Sequence, residues 1–255
     1  MIVRERDQGF VMIQQHHHAQ ISGELARQLD NAFFDDKNLR PSVEYAIAKH
    51  DDAWKMLDKQ PFWNDLKQEP YRFTDVPNAA KTVFYKQGID TVQEQDDYAA
   101  LICSEHYRRF LENDPDEDSQ QFVEQERQRQ QSLMQHLDAY DQDLYWMHWD
   151  LLQFLDSLSL YVCMNEPGAR EENRHPFFKN GITVSPSLSF FDTHKTPIHW
   201  QDNQTVVMDA FPFAEPVTVT VQQKIIPKQT LAEKGLIESY RQADFENVSI
   251  QLTGS

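Results

Sequence analysis

The spacing of apolar residues predicts helices through the first two thirds of the chain. Apolar positions recur three and four residues apart, which is the repeat of a helix with one buried face. The segment from Leu144 to Cys163 is apolar on nearly every side, so we expect it to form a central, buried helix. The predicted helices cover residues 19–29, 43–57, 97–111, 121–137 and 144–163, and a further helix begins at Ala79 after a possible cap at Asn78.

The two ends of the chain have β-type patterns instead. Residues 2–6 and 10–13 flank Asp7-Gln8-Gly9, which is typical of a hairpin. After residue 164 the β-rich segments are 181–191, 205–209, 217–223 and 248–252, with a short helix at 231–243.

These patterns together predict an α+β fold. We expect a mainly helical bundle with a small antiparallel β-sheet, formed by the N-terminal hairpin and the C-terminal region. The chain is interpreted as a single domain, residues 1–255, comprising a hairpin (1–14), a helical core (15–164) and a β-rich subregion packed on that core (165–255).

Composition narrows the possible partners. The 255 residues include 24 Lys and Arg against 41 Asp and Glu, a formal net charge of −17. Such a chain repels nucleic acid and anionic membranes over most of its surface. We therefore expect a small-molecule substrate, with no nucleic-acid or membrane partner, and a homodimer is one possible assembly. An anionic substrate would need a locally positive site, supplied by a metal or by a few arginines.

The cysteines and the N-terminal residues indicate the compartment. Cys103 and Cys163 both lie in apolar helical patterns, so we expect two buried free thiols in a reducing environment. The first residues, Met1 to Asp7, lack the apolar core of a signal peptide. The prediction is a cytoplasmic protein.

Histidines and aspartates interrupt four apolar helical segments. His50 falls on the inward face of the helix predicted over residues 43–57 and is followed directly by Asp51. His18, His106 and Asp156 each lie in another such segment. A buried carboxylate needs a partner, and imidazole together with carboxylate suits a transition metal or Mg²⁺. The question for the structure is whether these residues lie close enough together to bind one ion.

The order of these residues resembles the HD-domain superfamily. His18, then His50-Asp51, then Asp156 in Leu155-Asp156-Ser157-Leu158 follows the superfamily's ligand order of His, His-Asp, Asp. That likeness covers residues 15–163 and implies a helical bundle that uses a metal to hydrolyse nucleotides or other phosphoesters. Some members insert further histidines, where His106 falls, and hold two metals; a few use two irons to oxidise their substrate. After the pair comes Ala53, where members usually have a small residue, but bulky Trp54 follows and could narrow the pocket.

A second resemblance covers nearly the full chain. The segments His50-Asp51-Asp52-Ala53-Trp54 and Ser104-Glu105-His106-Tyr107, together with His18-Ala19 and the Asp156 segment, are similar to an uncharacterised bacterial family, domain of unknown function number 3891. This resemblance implies no particular activity.

We predict the metal ligands to be His18, His50, Asp51, His106 and Asp156, holding one or two ions of Mn, Fe, Mg, Ni or Zn. His106 is either a ligand to a second metal or a general acid, and Arg109, on the same helix face, is expected to contact a phosphate. Asp52 is expected to hold His50 or a lysine, and Glu105 is a further candidate to support the ligands.

Three functions remain open from the sequence. The first is a metal-dependent phosphohydrolase. The second is a di-iron oxygenase on the same scaffold. The third is a non-catalytic ligand-binding or interaction protein, in which the same histidines and aspartates form a buried polar network. A cluster that is fully satisfied by its own hydrogen bonds would favour the third.

Overall fold

The structure is a computed structural model that describes residues 1–137 and 140–255. Its regular elements confirm the predicted α+β class. The helices are α1 (Gln15–Gln28), α2 (Arg40–Lys49), α3 (Lys55–Lys59), α4 (Asn78–Gln93), α5 (Asp97–Leu111), α6 (Glu117–His136), α7 (Gln142–Met164) and α8 (Lys228–Gln242). The strands are β1 (Ile2–Arg6), β2 (Gly9–Ile13), β3 (Trp63–Asn64), β4 (Glu69–Pro70), β5 (Ile182–Thr183), β6 (Lys195–Thr196), β7 (Ile198–Trp200), β8 (Thr205–Met208), β9 (Val217–Pro227) and β10 (Glu246–Gly254).

The main sheet joins the two ends of the chain. Its strand order is β1-β2-β9-β10-β8-β7, with β2 paired to β9 in antiparallel register. The prediction of a purely antiparallel sheet is wrong, because β8 and β10 run parallel and the sheet is mixed. The alternation of buried and exposed side chains is the same in both kinds of strand. The long connection from β8 to β10, through β9 and α8, allows the parallel pairing.

The helices pack around α1, which contacts α2, α7 and strand β9. One hydrophobic cluster runs through both parts of the chain and includes Val11, Leu25, Val162, Val221 and Ile250, all buried. The sheet therefore packs against α1 and α7, and α8 contacts strands β9 and β2. Among the described residues, no helix combines the length and the apolar character of a membrane span.

Several element boundaries differ from the predictions. Helix α1 begins at Gln15, four residues earlier than expected, and α6 begins at Glu117, four residues before its predicted start at residue 121. The short strands β3 and β4 pair in a segment for which no strand was predicted. In the segment predicted from residue 181 to 191, strand β5 covers only Ile182–Thr183.

The helix predicted over residues 43–57 is broken at the His-Asp pair. Helix α2 ends at Lys49, a single 3₁₀ turn spans Asp52–Trp54, and α3 follows. The backbone of Asp51 leaves the helical region, with φ −118° and ψ 21°. The apolar spacing continues across the break because Ala53 and Trp54 are buried as well. Spacing alone therefore could not show the interruption.

Candidate metal centre

The five predicted ligands meet in the interior, although they come from four separate segments. His18 lies in the first turns of α1, His50 and Asp51 in the break after α2, His106 in α5 and Asp156 in α7. All five side chains are buried. Ligand atoms of His18, His50 and Asp51 lie within 4.8 Å of one another, and so do those of His50, His106 and Asp156. His50 belongs to both groups, so the five residues form one cluster that could hold a metal ion.

His50 lies at the centre of this cluster and has one free ring nitrogen. Its Nδ1–H donates to the carbonyl oxygen of Ile47 at 2.7 Å. Its Nε2 is buried, has no hydrogen-bond partner among the described residues and lies 3.3 Å from Oδ1 of Asp156. The rings of His18 and His106 flank it at centroid distances of 5.1 and 4.9 Å. An imidazole fixed through one nitrogen, with the other directed at carboxylates, is the usual arrangement of a metal ligand.

His18 is held in the same way from another helix. The Ser159 hydroxyl donates to the carbonyl oxygen of Asp156 at 2.9 Å, so it accepts from Nδ1–H of His18 at 3.0 Å. The second nitrogen, Nε2, then presents a lone pair 2.7 Å from Oδ2 of Asp51. A lone pair facing a carboxylate oxygen is repulsive unless a proton or a metal ion lies between them. The Nε2 atoms of His50 and His18 therefore each require a proton or a metal ion.

His106 closes the cluster on the side of α5. Its Nδ1 lies 2.8 Å from the amide nitrogen of Gln153, and its Nε2 lies 4.0 Å from Oδ1 of Asp51. With this amide orientation the proton of His106 is on Nε2. Turning the Gln153 amide over preserves its shape and lets Oε1 accept from Nδ1–H, which frees Nε2 to act as a ligand.

The electrostatics of the cluster also demand positive charge. Burial lowers the pKa of His50, but the adjacent carboxylates of Asp156 and Asp51 outweigh this and raise it to about 9. Burial raises the pKa of both carboxyls, but the surrounding histidines outweigh this effect and hold both values below the ordinary range. Burial and the charge of His50 lower the pKa of His106 to about 4. His106 is therefore neutral at pH 7, which favours the ligand role over that of a general acid.

Three residues that the sequence analysis missed support the ligands. Besides Ser159 and Gln153, the Gln15 amide donates to Oδ2 of Asp51 at 2.8 Å. Each of the three lies three positions from a predicted ligand on the same helix: Gln15 from His18, and Gln153 and Ser159 from Asp156. Residues at that spacing share a helix face, so the spacing could have identified them.

Other predicted residues lie beside the cluster and do not join it. The Arg109 Nε donates to Glu105 at 2.6 Å, and its guanidinium stacks 4.4 Å from the ring centroid of Trp149. Glu105 thus binds arginine instead of a ligand histidine. Asp52 pairs with Lys49 and Lys55 at 3.2 and 2.7 Å, which is the lysine alternative of the sequence analysis.

Three further histidines have structural partners. His16 pairs with the buried carboxylate of Asp58 at 2.7 Å, and His17 contacts the backbone of β9. His148 lies between the Tyr98 hydroxyl and the carbonyl oxygen of Phe34. Cys103 and Cys163 are buried free thiols, as predicted.

Comparison with known proteins gives a family and no activity. A family described as "Protein of unknown function (DUF3891)" matches residues 1–228, so the chain belongs to that family. This confirms the resemblance that covers nearly the full chain. Neither the curated proteins nor the solved structures contain a significant match to the chain.

Proposed function

We propose that this member of the DUF3891 family binds one or two transition-metal ions at the His/Asp cluster and hydrolyses a small phosphoester or nucleotide. The observation that supports metal binding most directly is the orientation of His50. Its Nε2 is buried without a hydrogen-bond partner among the described residues and lies 3.3 Å from a carboxylate oxygen. Only two arrangements satisfy both that nitrogen and the Ile47 carbonyl. Either a metal ion binds Nε2, or the ring is protonated on both nitrogens.

The donor set suits particular ions. Three imidazoles and two carboxylates offer nitrogen and oxygen ligands together, and their formal charge of two negatives matches one divalent ion. Nitrogen-rich sites of this kind favour Mn, Fe, Ni or Zn over Mg, which prefers oxygen. Since two three-residue groups share His50, the cluster has ligand atoms for a second ion as well.

The order of the candidate ligands along the chain supports the proposal of a phosphohydrolase. His, His-Asp, Asp along the chain is the order of the HD-domain superfamily, and an ion bound there would polarise a phosphoryl oxygen and activate water. Asp156 is the most exposed of the five, at 8 %, and Gln153 beside it is half-buried. We place the substrate entrance on this side, where Gln153 would orient the ring of His106 toward the ion.

Metal analysis of protein purified without a polyhistidine tag tests the metal site. We expect wild type to contain near-stoichiometric metal, and EDTA to lower its melting temperature. His50→Gln should lose the metal and the EDTA effect, whereas His148→Gln, a substitution at another buried histidine, should keep both. Wild-type protein without metal, unaltered by Mn²⁺, Fe²⁺ or Zn²⁺, would contradict the proposal.

A phosphoester panel on the metal-loaded protein then tests the reaction. We expect turnover of at least one nucleotide or small phosphoester by wild type and His148→Gln, and none by Asp51→Asn. A protein that binds two irons, consumes dioxygen and hydrolyses no phosphoester would be the oxygenase of the second hypothesis.

One observation favours the non-catalytic alternative. Asp51 Oδ2 accepts from Gln15, and Ser159 accepts from His18, so part of the cluster is satisfied by protein hydrogen bonds. In that case His50 carries a proton in place of a metal. Unchanged stability in EDTA, together with absence of metal, would support this reading.

A further inference from the structure

A cleft of about 520 Å³ lies apart from the metal centre. Strand β1, the residues after β4 and the segment after α7 form its walls. Met164 in this wall is eight residues beyond Asp156 on α7, which corresponds to about 12 Å along the helix axis. The volume is in the range of small-molecule sites, and nothing in the proposed metal chemistry uses it.

The cleft is lined by more positive charge than its own carboxylates neutralise. Arg4, Arg72 and Arg174 all contribute to its walls. Arg4 lies 3.7 Å from Glu166, and Arg72 binds Glu69 at 2.7 Å. Within residues 1–137 and 140–255, Arg174 has no ion pair. Such a concentration of arginines is unexpected in a chain of net charge −17.

The two carboxylates of the walls already have other partners. Glu166 accepts two hydrogen bonds from Arg6, at 2.8 and 2.7 Å. Glu5 binds Lys228 at 2.7 Å. Arg174 instead lies near the phenol of Tyr161, a neutral group that does not cancel the charge of the guanidinium. The charge of Arg174 is therefore available to a ligand.

His175 adds a neutral hydrogen-bond donor. Its backbone N–H donates to the Asn165 side chain at 2.7 Å, and its Nδ1 accepts from the backbone N–H of Phe177 at 3.3 Å. The ring proton of the neutral form is therefore on Nε2. Burial and the nearby charge of Arg72 lower the pKa of His175. The ring next to Arg174 thus donates a hydrogen bond without a charge of its own.

Part of the cleft lining is apolar and aromatic. Phe73 and Phe177 line it together with Pro176 and Met164. Phe177 is 60 % exposed, and its ring contacts the rings of His175 and Phe178. An exposed aromatic face next to an unneutralised arginine suits a ligand with a flat apolar body and an anionic group.

We propose that this cleft binds an organic anion, a phosphate or carboxylate joined to a flat apolar group. Arg174 binds the anionic group, His175 donates a hydrogen bond to it, and Phe177 covers the apolar part. The site is distinct from the metal cluster and does not depend on the proposed hydrolysis.

Calorimetric titration of the full chain in EDTA tests this site without metal binding. Phenyl phosphate and benzoate are the anionic probes, and phenol and inorganic phosphate are the partial ones. We expect one anionic probe to bind more tightly than either partial probe, and the better of the two identifies phosphate or carboxylate as the preferred group. Arg174→Gln should weaken that binding about 10-fold or more, since a charge-assisted hydrogen bond is lost.

Arg241→Gln is the matched control, because Arg241 is 73 % exposed on α8, outside the cleft. It should bind the probe as wild type does, and so should His50→Gln, which separates this site from the metal cluster. Phe177→Ala removes an exposed ring and should weaken phenyl phosphate binding while leaving that of inorganic phosphate unchanged, even if Arg174→Gln folds poorly. Absence of binding at millimolar probe, equal affinity in wild type and a folded Arg174→Gln, or phenol binding as tightly as the anions would each overturn the proposal.

Discussion

Gly23 sets the distance between the two helices that bring His18 to the His-Asp pair. A Cβ atom added to Gly23 of α1 would lie 2.5 Å from Cβ and 2.9 Å from Cα of Ala48 in α2. The second contact is with the backbone, so no side-chain rotation relieves it. Gly23→Ala must therefore push the helices apart. Overpacking of this kind costs about 1–3 kcal/mol, and alanine in a helix interior returns about 0.5–1 kcal/mol. We expect a net loss of about 1–2 kcal/mol.

Urea denaturation in EDTA measures this loss as a lower midpoint with an unchanged slope. The double mutant supplies the decisive comparison. Ala48→Gly alone should cost about 1 kcal/mol, as glycine does in a helix interior. Combined with Gly23→Ala it also removes the clashing Cβ, so the double mutant should be more stable than the sum of the single changes predicts. Additive free energies, or a Gly23→Ala protein as stable as wild type, would refute the close-packing argument.

The same substitution should also reach the metal centre. His18 Nε2 and Asp51 Oδ2 lie 2.7 Å apart across the α1–α2 contact. Separating the helices lengthens this distance and weakens any ion held between the two side chains. We expect Gly23→Ala to bind metal less tightly than wild type, and the Ala48→Gly double mutant to regain part of the affinity.

Three further substitutions test separate contacts. Ser159→Ala leaves a buried ring N–H of His18 without an acceptor, so stability in EDTA should fall by about 1–3 kcal/mol and metal affinity about 10–100-fold; unchanged affinity would contradict this. His148→Leu leaves the Tyr98 hydroxyl unpaired and should destabilise the protein by a similar amount, with metal content unaltered. Burial raises the pKa of Asp58, but the N-terminal ammonium and a neighbouring imidazole outweigh this and lower it. Its contribution is complete above the unfolded-state pKa of about 4 and is lost as pH falls through the lower folded-state value. The stability difference between wild type and Asp58→Asn in urea should therefore shrink on acidification below that pH, and a constant difference would count against it.

The sequence was sufficient for helices α5 and α7 and for the residues of the buried cluster. Both helices have apolar residues at regular helical spacing, and their predicted bounds agree with the structure to within two residues. The five residues of the cluster were found because each polar residue interrupts an apolar pattern, and burial there demands a partner. The parallel pairing of β8 with β10 could not be predicted, since the alternation of apolar and polar residues along a strand contains no information on the direction of its neighbour.

Contacts between distant segments account for most of what was missed. The amide of Gln15 reaches Asp51 only because α1 packs against the end of α2, and nothing local distinguishes it from an exposed glutamine. The cleft near Arg174 likewise combines strand β1 with residues after β4 and after α7. No continuous stretch of the sequence contains both walls, so the positive charge of the cleft could not be predicted before the fold was known.

The break after α2 explains how adjacent residues can serve one ion. In a continuous helix the side chains of His50 and Asp51 would diverge by about 100°, and both could not face the same point. At Asp51 the backbone leaves the helical region, and the chain resumes through a 3₁₀ contact from Trp54 N–H to the Asp51 carbonyl at 3.1 Å. The lost helical hydrogen bonds are offset by the burial of Ala53 and Trp54. The geometry of the His-Asp pair therefore depends on the interruption that the apolar pattern conceals, and packing on both sides of the break fixes it.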